Sequence, residues 1–288
     1  MKNMTGRLKQ MLAMGLLFMS PALSNAQGLY VTLGGGYGFG ANSYLLGSQT
    51  VTTNTGSINT TSEKVLNVSL GQGINLGGSA GYMLNEHVGV ELGVGYLLGS
   101  KILVNENTDI TSTSTDHFTF NYQTRSLRLM PVLKICGGGE LLNPYVKFGM
   151  VIGLMNSSMV YNDREGTSSG ITNTTKSETK MTGNNSFGFT ASAGVSYKIT
   201  DNISVFGECM LLAQSLSFSK AEITKMELNG NDILPSMSVR NKQTTFSKDF
   251  TRDNSGTPDS TVPDKQPAFS LPFSSVGFNL GVHYAFNQ

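Results

Sequence analysis

From residue 29 to residue 286 the chain keeps returning to runs in which every second residue is apolar and those between are small or polar. The last run is the clearest. Val276, Phe278, Leu280, Val282, Tyr284 and Phe286 alternate with Gly277, Asn279, Gly281, His283 and Ala285. Successive side chains of a strand point to opposite faces, so such a run predicts a β-strand with one oily face and one small, polar face. Seven more runs share the pattern, over about 29–39, 74–84, 88–98, 127–135, 145–154, 187–199 and 203–211. The second and third of these, joined at Asn85-Glu86, read as a hairpin. Within 127–135, Pro131 removes a ladder donor, and a β-bulge is the expected accommodation.

Eight is an even number of strands, as closed bacterial barrels have. The connections at 85–86, 136–143 and 200–202 are short, whereas about 41–70, 101–124, 156–185 and 217–272 are long and rich in Ser, Thr and Asn. Short turns on one rim and long polar loops on the other mark an outer-membrane barrel, short on the periplasmic side and long outside. A soluble sandwich would need bulky residues on its inward faces. This chain has glycine, serine and charge there. The predicted fold is therefore all-β: a closed antiparallel up-and-down transmembrane β-barrel of about eight strands, apolar outside and hydrophilic within. An alternative counts 223–228 and 236–250 as further strands, giving about ten.

Outward-facing aromatic residues sort by height. Tyr82, Tyr197, Tyr284 and Phe286 fall near the short-turn ends, and Tyr37, Phe39, Tyr96, Phe187 and Phe273 near the opposite ends. Two such girdles suit the two interfaces of a bilayer. Residues 1–26 read as a cleaved export signal, with Lys2, Arg7 and Lys9, an apolar stretch at 11–19, Pro21, and Ser24-Asn25-Ala26 at the cut. That stretch is too short to span a bilayer as a helix, though an uncleaved anchor is the alternative. The barrel domain is then 27–288.

Composition narrows the function classes. Charged residues make up 14% and the formal net charge is +1, which gives no basis for a nucleic-acid partner. A mean hydropathy of -0.09 is too polar for a helical membrane protein but suits a barrel, where only alternate strand residues meet hydrocarbon. Cys136 and Cys209 fall on strand positions too far apart for a disulfide, so two free cysteines are expected, one facing lipid.

Glu91, Arg128, Lys134, Lys147, Lys198 and Glu208 fall on inward faces. Isolated charges in a narrow lumen are penalised, so they should pair, with Glu91 and Glu208 sharing Arg128 and some of the lysines. A packed ionic core that fixes register is the expected role, and a proton or ion path the alternative. His87, His117 and His283 have no Ser two residues on and no partners at metal-ligand spacing. His117 beside Asp116 is a faint catalytic candidate, against the simpler reading of a surface histidine. Gly34-Gly35-Gly36 and Gly71-x-Gly73 precede no helix and no nucleotide-gripping Gly-Lys-Ser/Thr, so inward glycines are read as making room in the lumen. No catalytic residue, cofactor or metal ligand is assigned.

Laid out this way, the chain resembles the small outer-membrane β-barrel family of OmpX, OmpA-barrel and opacity-like proteins, the "porin family". The likeness rests on Val88-Gly89-Val90-Glu91-Leu92-Gly93, on 127–134 (Leu-Arg-Leu-Met-Pro-Val-Leu-Lys), on Asn143-Pro144-Tyr145-Val146, on Phe206-Gly207-Glu208 and on 281–286 (Gly-Val-His-Tyr-Ala-Phe). The Trp-free style with Thr- and Asn-rich loops is similar to Bacteroidetes-type members. The resemblance implies residence in the bacterial outer membrane, contact with its lipid, and recognition of the C-terminal strand by the barrel assembly machinery. Asn287 and Gln288 depart from the usual aromatic terminus. The function expected is non-enzymatic, structural or adhesive, with the long loops meeting an extracellular protein or surface ligand. A small-solute porin is the alternative, and an outer-membrane lipid or peptide hydrolase a third reading.

Overall fold

The computed structural model describes residues 28–41, 45–56, 58–249 and 258–286. The expected signal at 1–26, its cut before Gln27, and Asn287-Gln288 lie outside the described residues.

Strands dominate from the first described residue. They are β1 (Gly28–Gly40), β2 (Leu45–Asn54), β3 (Asn59–Val68), β4 (Gly73–Met83), β5 (Val88–Gly99) and β6 (Ile102–Thr111). Five longer ones follow: β7 (Ser114–Cys136), β8 (Leu142–Ser168), β9 (Ile171–Gly183), β10 (Ser186–Lys198) and β11 (Ile203–Leu228). The chain ends with β12 (Asn231–Asp232), a one-turn helix α1 (Val239–Lys242), β13 (Gln243–Ser247), β14 (Asp264–Pro267), β15 (Ser270–Pro272) and β16 (Ser275–Ala285).

Eight of these close a ring in the order β1–β4–β5–β7–β8–β10–β11–β16, every pair antiparallel. The last strand returns to the first, from Tyr30 opposite Ala285 to Gly40 opposite Ser275. Closure removes the free edges that an open sheet exposes. The ten-stranded alternative fails because 223–228 is the continuation of β11 and 243–247 lies alongside it as β13, outside the ring. All three short connections lie on one rim. At the first of them, Asn85 turns the chain by accepting from the backbone N–H groups of His87 and Val88 at 2.9 and 2.8 Å.

Alternation decides the two faces. Leu33, Phe189 and Leu280 stand on the outer surface 71%, 71% and 70% exposed. The outward set of β16, from Val276 to Tyr284, covers about 20 Å of height at the usual rise and tilt. The bulge expected at Pro131 is absent. Pro131 sits opposite Leu92, and the register with β8 is unchanged between Leu129–Ile152 and Val132–Gly149. Gly149 permits this, since a Cβ there would lie 2.2 Å from the Pro131 carbonyl oxygen. The irregularity comes higher, between Arg125 and Leu127, where β8 inserts a residue around Met155 at φ 47°.

The long connections are not loose loops. Beyond the ring, β7, β8 and β11 continue upward, and β9 takes the place of β10 between β8 and β11. With β6, the β2–β3 hairpin, β13 and β14 they form a collar in the order β14–β13–β11–β9–β8–β7–β6–β2–β3. Among the described residues this sheet stays open between β3 and β14.

Strand β11 shows why ring and collar differ. In the ring its outward residues are apolar (Ile203, Val205, Leu211) and an inward one is Glu208. In the collar the outward residues become Ser215, Ser217 and Ser219, while Leu216 and Phe218 point inward and are fully buried. Facing is unchanged, but the polarity of the two faces inverts where the wall passes from lipid to water. The upper interior is therefore an apolar cluster that includes Leu70, Leu97, Tyr122, Leu216, Phe218 and Phe273. That corrects the expectation of a hydrophilic interior throughout. Phe273, expected in the outer girdle, is fully buried inside.

Candidate functional site

The lower lumen holds a compact polar layer. Lys147 of β8 reaches between Glu91 of β5 and Glu208 of β11, with its Nζ 3.2 Å from Glu91 Oε1 and 3.4 Å from Glu208 Oε2. Both carboxylates are otherwise well satisfied. Ser79 Oγ and Tyr30 OH donate to Glu91 at 2.6 and 3.1 Å. Tyr145 OH, Ser192 Oγ and Asn279 Nδ2 donate to Glu208 at 3.0, 3.3 and 3.2 Å. A buried carboxylate is tolerated only when such bonds and a counter-charge replace its water. Among the described residues Lys134 makes no ion pair. Its Nζ instead lies over the rings of Tyr30 and Tyr145, 4.7 and 4.9 Å from their centres, a cation–π arrangement.

Glycines on the inward faces make this layer fit. A Cβ at Gly81 would stand 2.2 Å from Tyr30 Cζ, and one at Gly194 would meet Glu208 Cβ at 2.7 Å and Tyr145 OH at 2.8 Å. The aromatic rings and Glu208 occupy the volume those side chains would need.

The layer divides the lumen. Below it a vestibule of about 550 Å3 opens at the short-turn rim, bordered by Tyr30, Lys134, Lys198 and His283. Above it lies a cavity of about 120 Å3 that Glu91, Lys147, Glu208, Phe206, Asn75 and Arg128 line. It also touches the outward residues Leu76 and Val94, because Gly77, Gly93 and Gly95 leave the wall there one backbone thick. Leu212 lines the upper side of the cavity, and Phe273 of the apolar cluster packs on the Arg128 guanidinium, 4.6 Å from Cζ to the ring centre.

Of the six inward charges singled out from the sequence, Glu91, Lys147 and Glu208 meet directly and Lys134 lies beside them. Arg128 does not join either carboxylate. It is 1% exposed and donates from Nη1 to Asn75 Oδ1 at 3.1 Å. Lys198 sits at the rim, paired with Asp201 at 2.9 Å. The expected sharing of Arg128 by the two glutamates is thus replaced by sharing of Lys147, because Arg128 stands a level higher in the lumen. The tyrosines Tyr30 and Tyr145 were passed over in the sequence, although both occupy inward positions of their strands.

The remaining candidates disperse. Asp116 accepts a bidentate contact from Arg164 Nε and Nη2 at 2.9, 3.2 and 2.6 Å, and these bonds hold its carboxyl below the usual range. His117 meets Thr108 Oγ1 at 2.9 Å and Glu106 at 3.7 Å, so Asp116 and His117 form no dyad. His87 approaches the Cys136 carbonyl at the turn rim, and His283 stacks on Tyr30 with ring centres 4.5 Å apart. Among the described residues no group of three or more His, Cys, Asp or Glu is placed to hold a metal ion. Cys136 is buried, Cys209 is exposed, and both are free. On the outer face Phe39, Tyr96, Phe187, Tyr197, Tyr284 and Phe286 are exposed, and Tyr82 is half-buried. Tyr37 is half-buried at the upper edge, where its hydroxyl contacts Ser100 Oγ and Gln72 Nε2, both at 3.1 Å.

Comparison with known proteins adds a family. The model described as outer membrane protein beta-barrel domain matches residues 11–250. No curated protein matches the sequence. Among solved structures, the chain is similar to the crystal structure of the outer membrane protein OprG from Pseudomonas aeruginosa, with 11% identity, a TM-score of 0.42, and coverage of 92% of this chain and 98% of that one.

Proposed function

The chain belongs to the outer membrane protein beta-barrel domain family, and from that premise we propose that it is a non-enzymatic surface protein whose collar carries a structural or adhesive role. The observation that supports this is the collar itself. Strands of 23, 27 and 26 residues rise well past the apolar band, whereas a membrane-crossing strand needs about 9–11 residues. The extra length is paired sheet displayed outside. Its edge strand β3 is exposed along almost all of its length and carries Glu63 and Lys64. An unpaired edge of this kind offers backbone groups to an extracellular protein or surface ligand, by strand addition. The lower ring contacts outer-membrane lipid, and β16 is the segment offered to the barrel assembly machinery after export directed by 1–26.

The test compares cells displaying the chain with cells in which 48–65 is replaced by a short Gly-Ser linker. Among the described residues the β2–β3 hairpin pairs with the rest of the sheet through β6, and Leu66 and Val68, which pack into the apolar cluster, are kept, so the ring should still fold and keep its heat-dependent shift on a gel. Attachment to a polystyrene surface and to an epithelial monolayer should fall for the variant. Equal attachment rejects the reading.

One observation favours a second reading, a small-solute porin: the vestibule and the central cavity lie in series along the lumen. The ionic layer and the apolar cluster stand across that route. Planar-bilayer recordings separate the two readings, since the surface role predicts no resolved conductance steps.

A further inference from the structure

The polar layer holds Glu91, Lys134, Lys147 and Glu208, and Arg128 stands apart from it. Arg128 is 1% exposed, stands on the inward face of β7, and among the described residues has no carboxylate within ion-pair distance. Phe273 covers one face of its guanidinium and Asn75 Oδ1 takes the Nη1 proton. Among the described residues the remaining donors, Nε and Nη2, have no hydrogen-bond partner, and neither has Asn75 Nδ2. Asn75 cannot be turned round to cure this, because its oxygen is engaged by Arg128. Both residues line the central cavity.

The charge balance points the same way. Inside the closed ring Arg128, Lys134 and Lys147 face Glu91 and Glu208, three cations against two carboxylates. Lys198 is matched by Asp201 at the rim, and Glu86 and Glu140 stand exposed there in water. One positive charge is left over. Of the two cations outside an ion pair, Lys134 rests on two aromatic rings, whereas Arg128, the more deeply buried at 1% against 7% exposed, keeps two bare donors. A guanidinium cannot shed its proton to escape, so burial must be offset by a counter-ion or by hydrogen bonds to its remaining donors. A cavity of about 120 Å3 has room for a small ion with a few waters but not for a sugar. A dianion is disfavoured, because Glu91 and Glu208 line the same space.

We propose that the central cavity is a binding site for a small monovalent anion, a halide or a short carboxylate, held by Arg128 and Asn75. The site is independent of the collar and of whether the lumen conducts. It binds the ion between the polar layer below and the apolar cluster above, and so ties ring stability to the anion present.

The experiment uses the full chain folded in detergent. Its unfolding temperature is followed by the heat-dependent gel shift while sodium bromide or sodium formate is titrated against sodium sulfate at matched ionic strength. A saturable rise with bromide, with formate or with both is expected, and whichever anion acts identifies the class. Arg128→Gln should raise the half-saturating concentration at least tenfold. Gly93→Leu should do the same while leaving Arg128 in place: a Cβ at Gly93 meets nothing closer than 3.5 Å, but the longer side chain would fill the cavity. Should Arg128→Gln not fold, the Gly93 variant decides. Crystals soaked in bromide should show an anomalous peak within hydrogen-bond distance of Arg128. A rise that tracks ionic strength alone, the same titration in Gly93→Leu as in the parent, or no peak beside Arg128 overturns the proposal.

Discussion

Replacing Lys147 with Met removes the one cation that two buried glutamates share. The side chains of Lys147, Glu91 and Glu208 are 12%, 5% and 9% exposed, so the few waters that the adjoining cavity can hold replace the lost ammonium poorly. Breaking a buried pair from one side costs about 3–5 kcal/mol, because the partner stays behind as an uncompensated charge. Two partners are left here, but Ser79, Tyr30, Tyr145, Ser192 and Asn279 keep their bonds to them, so the loss should stay within that range. With a denaturant slope of about 2 kcal/mol per molar urea, the midpoint should fall by roughly 1.5–2.5 M. The assay is urea unfolding in detergent at neutral pH, with the folded fraction read from unboiled gels. The triple variant Lys147→Met, Glu91→Gln, Glu208→Gln should recover most of the loss, since neutral amides need no counter-charge. A midpoint shift below about 0.5 M for the single variant, or a triple variant no better than it, would show that the layer is not coupled as the geometry implies.

Three further outcomes follow from the wall and the collar. Leu280→Arg, at the middle of the outward set of β16, should destabilise by about 2–4 kcal/mol in lipid vesicles; Leu280 is 70% exposed, so a near-neutral effect would mean that this face meets water. Gly81→Ala should cost about 1–3 kcal/mol through overpacking against the Tyr30 ring, and Tyr30→Ala in the same chain should return part of it; unfolding midpoints of the three variants decide. Asp116 is held below its ordinary value by hydrogen bonds from Arg164, so its contribution is present above about pH 4 and disappears as pH falls through the depressed value. The contribution is small, because Arg164 is largely exposed and Asp116 a third exposed, so water screens the pair. The gap between the parent and Asp116→Asn should therefore close in acid, and a gap that persists at about pH 2 refutes the assignment.

Much of the ring was legible in the chain. Period-two alternation gave the eight strands, their lipid faces and the three short turns, because facing is a local property of an extended backbone. The same rule held a signal left unused. In β16 the outward residues are even-numbered, so Phe273 belongs inside by parity alone. In β11 the change from Glu208 to Leu216 and Phe218 on the inward face, with Ser215 and Ser217 opposite, marks where lipid ends. Read to its end, that pattern would have shown the loop 217–272 to begin as strand.

What the linear order left open was height. Alternation says that Glu91, Arg128, Lys147 and Glu208 all point inward, but not which stand at one level. Level depends on the tilt of the strands, the stagger of eight registers and the extra residue near Met155, each fixed only when the sheet closes on itself. Closure brings Lys147 between two glutamates 56 and 61 positions away, and sets Arg128 one storey above them beside Phe273. The sequence by itself determined which side chains face lipid and which face the lumen, because that is written residue by residue. Which charges meet, and which one is left over, was decided by the tertiary structure, because only a closed ring assigns each strand its height.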